Sequence, residues 1–373
     1  MADLARRTDS FMINPSGFSA SVRFYWPVDV ARFVFATLVV CGHAYEFARL
    51  GNEDWHVAFF DRVLPGGLWV AGFFVMSGWC IAAGRAGRGD FVLRRYLEAR
   101  LSRILPLYVV FFAASLVAEA IFARVGGRTD ALWSPWFWAI PAQLTMTQGL
   151  VGPFGAFNPS WSLTHEMVCY LVWGLLLRSA ARHAGSRTML AIALLPLLIA
   201  GLGHALVHTA TSWLILSLPL YFFVWLLGAA VAETPVEWVE RHRARLTGAA
   251  FVFALPLAAY ALDRRVPESI GMIAFSVLLA LAATRLHRVA GGPRIDRFSH
   301  LLGLASYPLY LGHGIVTVAA SVAVAHHPGV VDPRVVMVAT IAVSILLAFA
   351  VGVPLERRVM AWRSAWLRRR WAA

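Results

Sequence analysis

Ten stretches of this chain are apolar for long enough to cross the hydrocarbon core of a bilayer, and they leave little sequence over for any other architecture. A crossing helix needs about 20 predominantly apolar residues, and such windows lie at 28–47, 66–84, 104–123, 159–178, 188–208, 211–232, 246–262, 270–286, 300–324 and 334–354. Of the 373 residues, 59% are hydrophobic and 14% charged, whereas soluble domains carry about 25% charged residues. Backbone polar groups in lipid must be satisfied within each segment, which at this window length means helices. The expected fold is an all-α polytopic membrane protein, a bundle of about ten transmembrane helices.

The net charge of +13 would suit nucleic acid, yet the basic residues argue otherwise. All 33 are arginines and they gather between the apolar runs, as topology anchors do. An eleventh apolar stretch, 132–150, is short, rich in Trp and broken by Pro135 and Pro141. If it does not cross, 25 arginines fall on one side and seven on the other, with Arg32 inside the first window. If it crosses, every later loop inverts and the bias disappears. The positive-inside rule then places both termini in the cytoplasm and makes 124–158 an outward-facing loop with an interfacial segment. The expected division is a cytoplasmic tail at 1–27, a transmembrane domain at 28–354 and a basic cytoplasmic tail at 355–373. Residues 1–22 lack the apolar centre and cleavage site of a signal peptide, so the first window is expected to act as the insertion signal. Cys41, Cys80 and Cys169 all lie in apolar runs, where a thiol behaves as a small buried hydrophobe. They form neither a disulfide framework nor, with their neighbours, a metal cluster.

Charges inside such windows are costly and mark functional sites by default. Arg32 and His43 share the first window with ten residues between them, about 16 Å apart along a helix and within about 20° of one face. With this window running outward, Arg32 lies toward the cytoplasm and His43 toward the outer side. The fourth window runs inward and brings Ser162, His165 and Glu166 to its outer half, while the ninth runs outward and puts His313 near or beyond mid-depth. Polar groups from three helices thus converge at similar depth.

His43 is the candidate general base, because imidazole titrates nearest to working pH. Glu166 is expected to orient it and stabilise its cation, as the third member of a triad does. His165 points about 100° away from Glu166 and ranks below it. Arg32 has Asp29 three residues earlier as a helix-face partner, or else it neutralises an anionic ligand arriving from the cytoplasm. The segment 85–103 combines an apolar stripe with Arg88, Arg94, Arg95, Arg100 and Arg103, a pattern suited to anionic lipid or to phosphate. Ser77 and Gly78 sit mid-window, where a hydroxyl bonds a carbonyl and a glycine permits close packing. Ser306, Tyr310 and His313 fall along one helical face and are expected to line a cavity. Glu119, near an outer end, is expected to be hydrated. There is no G-x-x-x-x-G-K-[ST], no dinucleotide fingerprint and no G-x-S-x-G, which argues against nucleotide-driven pumping and dinucleotide redox chemistry.

Taken together, these residues resemble acyltransferase family 3, integral membrane enzymes of about ten spans that O-acylate, mostly O-acetylate, carbohydrates and other cell-surface acceptors. Asp29-Val-Ala-Arg32 with His43 is similar to the family's first-helix Arg/His motif. Arg100-Leu-Ser-Arg103 resembles its R-x-x-R motif, Ser162-Leu-Thr-His-Glu166 its S-L-x-x-E, and Ser306-Tyr-Pro-Leu-Tyr-Leu-Gly-His313 its S-Y-x-x-Y-L-x-H helix. The matches appear in the family's order from about residue 28 to 356, without the fused hydrolase-like domain that some members carry. The resemblance implies catalytic roles for His43 and Glu166 and acyl-CoA handling by Arg32, Arg100 and Arg103. Ser77, Ser306, Tyr310 and His313 remain candidates for substrate or oxyanion contact. It further implies a bacterial inner-membrane enzyme that moves acetyl from cytoplasmic acetyl-CoA, a substrate rather than a tightly bound cofactor, to an exopolysaccharide or lipopolysaccharide hydroxyl. No metal is expected; membrane lipid, a carbohydrate acceptor and polysaccharide-assembly proteins are the expected partners. The competing reading is a secondary transporter for a glycan or lipid-linked glycan, which polar mid-depth residues and Pro/Gly-interrupted helices would suit.

Overall fold

The computed structural model describes residues 26–49, 55–64, 66–84, 91–126, 136–152, 155–178, 194, 210–263, 265–286, 289, 291–326 and 330–372. Every regular element among the described residues is helical. Helix α1 (Trp26–Arg49) is followed by the single turn α2 (Phe60–Val63), α3 (Gly66–Ala83) and the long α4 (Leu93–Gly126). Two short helices, α5 (Trp136–Leu144) and α6 (Gln148–Val151), and a 3-10 segment (Gly155–Ser160) lead into α7 (Trp161–Arg178). The chain continues through α8 (Ala210–Glu233), α9 (Val236–Arg241), α10 (Arg243–Leu262) and α11 (Glu268–Ala283). It ends with α12 (Pro293–His326), α13 (Pro333–Leu347), a π turn (Ala348–Gly352) and α14 (Val353–Ala372).

Nine of the ten apolar windows coincide with described helices, and the window at 188–208 lies outside the described residues apart from residue 194. Among the described residues, six helical runs are long and apolar enough to cross a membrane: α1, α2 with α3, α4, α10, α12, and α13 with α14. Helices α5 and α6 have nine and four residues, and a rise of about 1.5 Å per residue makes both far too short to cross.

Local sequence explains several boundaries. Asp332 caps α13 by accepting from the Arg334 N–H, with Pro333 at the first helical position, where its missing N–H costs nothing. The π turn lies just before Pro354, a residue with no N–H to give, and Gly352 within it sits against the Pro308 ring of α12.

Close packing centres on α3 and α8. A Cβ at Gly78 would collide with the Trp225 carbonyl, and one at Gly228 with the Val75 carbonyl. The two glycines face opposite backbones and bring the helices together, as expected for Gly78. Helix α1 packs lengthwise on α12 and also touches α3 and α13, while α12 is flanked by α4 and the 3-10 segment. Helices α1, α3, α4, α7, α8 and α12 therefore enclose the core, with α10 on the periphery against α11. Trp173, Trp225, Tyr221, Leu107 and Leu311 are among its fully buried side chains.

One expectation changes. Glu119 is buried, not hydrated, because its carboxylate accepts the backbone N–H of Ala156 in the 3-10 segment. Residues 353–372 form a helix docked on α4: Arg103 pairs with the fully buried Glu356, Arg363 donates to the Ala99 carbonyl at 3.0 Å, and the Trp371 indole donates to Glu98.

Candidate active site

His43, in the C-terminal half of α1, meets His313 of α12. His43 Nδ1 and His313 Nε2 are 2.8 Å apart. The ring centroids are 5.1 Å apart with the planes inclined by only 17°. That separation is about the nitrogen–nitrogen distance plus one ring radius at each end, so the rings lie edge to edge in nearly one plane. His313 is buried and its other nitrogen, Nδ1, donates to the Leu309 carbonyl at 3.1 Å. The lengthwise packing of α1 on α12 creates this pair.

One turn back along α12, the Tyr310 hydroxyl shares a 2.7 Å hydrogen bond with Ser162 at the start of α7. The Tyr310 ring stands edge-on to His313, at 6.1 Å between centroids, and to Phe73. The hydroxyl pair is thus adjacent to the histidine pair.

One turn further along α7 lies Glu166. Its Oε1 accepts from Ser77 of α3 at 2.9 Å and from Tyr170, four residues on along its own helix. The Trp225 indole N–H of α8 donates to Ser77 at 3.3 Å. The expected pairing of Glu166 with His43 is not formed. The helix register turns Glu166 toward α3, and His43 takes its hydrogen bond from α12 instead. Both donors reach the same oxygen, Oε1.

The arginines lie beyond this second group. Cys80 is deep in the bundle, within electrostatic reach of Asp29, Arg32, Arg100 and Glu166, and yet exposed. It is not the buried apolar thiol that its window suggests. His43, Ser77 and Glu166 are also partly exposed, although neighbours such as Val39, Met76 and His165 are buried. Surface exposed at these depths opens on internal space beside these side chains. The Arg100 guanidinium lies 5.6 Å from the Tyr96 ring centroid. Arg103 is more constrained, being paired with Glu356 at 2.5 Å and resting 5.4 Å from the Tyr307 ring centroid.

The structure therefore joins His43 to His313, Ser162 to Tyr310 and Ser77 to Glu166, and places Cys80 within electrostatic reach of Glu166, Arg32 and Arg100. Ser306 stays apart, its hydroxyl donating back to the Gly303 carbonyl at 2.7 Å. His165 is buried, 3.0 Å from the Ser217 hydroxyl. Sequence reasoning missed Tyr170 and Trp225. Tyr170 was findable at i+4 from Glu166, whereas Trp225 arrives from α8 with no local signal. Among the described residues, no group of three or more His, Cys, Asp or Glu is placed to hold a metal ion. A cavity of about 170 Å³ near Glu240, Arg243 and Arg285 is separate from this site.

A family model described as an acyltransferase domain matches residues 26–353, a range that holds His43, Ser77, Arg100, Ser162, Glu166, Tyr310 and His313. No curated protein and no solved structure matches the chain.

Proposed function

The chain belongs to acyltransferase family 3, and from that premise we propose that it is an O-acetyltransferase moving acetyl from cytoplasmic acetyl-CoA to a hydroxyl of an exported or cell-surface polysaccharide. The observation that carries this reading is the His43–His313 pair beside the Ser162–Tyr310 hydroxyl pair, with Cys80 within electrostatic reach of Glu166, Arg32 and Arg100. Its setting is the bacterial inner membrane, with both termini cytoplasmic, so that donor and acceptor arrive from opposite faces.

Arg32 and Arg100 receive the phosphates of CoA, a role for which the planar guanidinium is well shaped. Arg103, held by Glu356, keeps the basic wall in place. The pantetheine arm lies along Cys80, Ser77 and Glu166 and carries the thioester toward His43, about 16 Å from Arg32 by helix rise. His43 takes the proton of the acceptor hydroxyl as that oxygen bonds to the thioester carbonyl carbon. The carbon–sulfur bond then breaks, and the departing CoA thiolate receives the proton from His43. The Ser162–Tyr310 hydroxyl pair supplies a hydrogen bond to the carbonyl oxygen while it is negative, the kind of donor whose loss typically slows acyl transfer by about 10²-fold or more.

The test uses purified protein in proteoliposomes with labelled acetyl-CoA and polysaccharide from a strain lacking the gene. Wild type is expected to consume thioester and add label to the glycan, and His43→Gln to do neither while still inserting and folding. Glycan movement without thioester consumption supports a transporter instead. Near-normal acetylation by the His43 variant removes the histidine mechanism.

A further inference from the structure

The hydrogen bonds around the two histidines fix more than their positions. A backbone carbonyl only accepts, so the Leu309 oxygen 3.1 Å from His313 Nδ1 requires that nitrogen to carry a proton. With His313 neutral, its Nε2 is then an acceptor, and the hydrogen in the 2.8 Å contact with His43 must sit on His43 Nδ1. A neutral His43 protonated at Nδ1 leaves its Nε2 with a bare lone pair. Neither ring is hydrogen-bonded to a carboxylate: Glu166 is engaged by Ser77 and Tyr170. A buried cation without such a partner is costly, which favours two neutral rings at rest.

From this directed chain, running from His43 Nδ1–H to His313 Nε2 and from His313 Nδ1–H to the Leu309 carbonyl, we propose that His313 is a positioning residue that sets the tautomer of His43 and makes Nε2 the reactive nitrogen. The inference rests on the reading of His43 as the base and assigns its partner, a second imidazole in the place that a carboxylate holds in the serine-protease arrangement. When His43 Nε2 takes the acceptor proton, the His43 Nδ1–H bond to His313 becomes charge-assisted and shorter. Positive charge is shared along the pair toward the Leu309 carbonyl, and no proton leaves Nδ1. The proton gained at Nε2 is the one returned to the CoA thiolate. The near-coplanarity of the rings, 17°, is the geometry this in-plane hydrogen bond needs, whereas face-to-face stacking would leave both nitrogens unpaired.

The experiment compares wild type, His313→Gln and His313→Leu in proteoliposomes, alongside nitrogen-15 spectra of histidine-labelled protein. His43 is assigned as the signal missing from His43→Gln. In wild type the His43 signals are expected to show a protonated Nδ1 and an unprotonated Nε2. His313→Leu is expected to lose that pattern and to lower kcat by about 10²-fold or more, the scale of general-base contributions, with KM for acetyl-CoA unchanged. His313→Gln, which retains an acceptor for Nδ1–H, is expected to recover to within about tenfold of wild type on that scale. A wild-type His43 protonated at Nε2 overturns the proposal, as does equal loss in both variants with an unchanged His43 tautomer. The spectra decide the tautomer whether or not His43 is the base, so failure of the parent reading, seen as activity in His43→Gln, is distinguishable. Should His313→Leu fail to fold, the wild-type and His313→Gln spectra still decide.

Discussion

At Glu166 the geometry separates charge from shape. Ser77 and Tyr170 both donate to Oε1, so a glutamine with its carbonyl in that place preserves the contacts and removes only the negative charge. Glu166→Gln is therefore expected to fold with stability within about 1 kcal/mol of wild type, the scale of one neutral hydrogen bond, while turnover falls by about 10²-fold or more if the carboxylate acts on substrate. Turnover in proteoliposomes and thermal unfolding in detergent separate the two effects, and full activity in the glutamine variant would show that the charge is not used. His43 and Glu166 were both legible in the sequence, because ionisable groups in apolar windows are few. Their partners were not. Sequence placed both at similar depth, but the side to which each helix turns depends on packing, which set His43 against His313 and Glu166 against Ser77.

Glycine decides how closely α3 and α8 approach. Gly78→Val would drive side-chain carbons into the Trp225 carbonyl, and backbone has no rotamer with which to retreat. The expected destabilisation is about 1–3 kcal/mol, the usual range for overpacking, read as a lower unfolding temperature together with lost turnover, since Ser77 is carried on the same helix. Gly248 in α10 is the matched control, because a Cβ there meets nothing within 4 Å. Gly248→Ala is expected to stabilise by up to about 1 kcal/mol through helix propensity. Equal effects at the two positions would contradict the close α3–α8 contact. The apolar windows announced these helices, while the Asp332 cap of α13 came from the structure. The extension of helix from 353 to 372 was hidden by its arginines, which lower hydropathy but favour helix through their long unbranched stems. Tertiary anchors fix it: Glu356 to Arg103, Arg363 to the Ala99 carbonyl, and Trp371 to Glu98.

For the whole molecule, sidedness follows from arginine distribution and is open to direct measurement. A reporter active only in the cytoplasm, fused after residue 373 or before residue 1, is expected to be active at both ends, and one placed within 127–130 inactive. An active reporter in that loop would contradict the orientation of the first three windows, and an inactive C-terminal fusion beside an active N-terminal one would make 132–150 a crossing segment that reverses everything after it. The short helices α5 and α6 favour the non-crossing arrangement. On the proposed orientation, Arg32 and Arg100 lie toward the cytoplasm and the histidine pair toward the outer side.

The sequence by itself determined the all-helical membrane class, the acyltransferase family and the residues able to carry charge into the bundle. These are properties of composition, window length and motif order, which need no knowledge of contacts. Only the tertiary structure decided the pairing. Whether a histidine meets a carboxylate or a second histidine depends on the rotation of one helix against another, which follows from contacts between residues far apart in the sequence. The same packing left Cys80 facing an internal space and turned Glu119 from a hydrated acid into a buried acceptor.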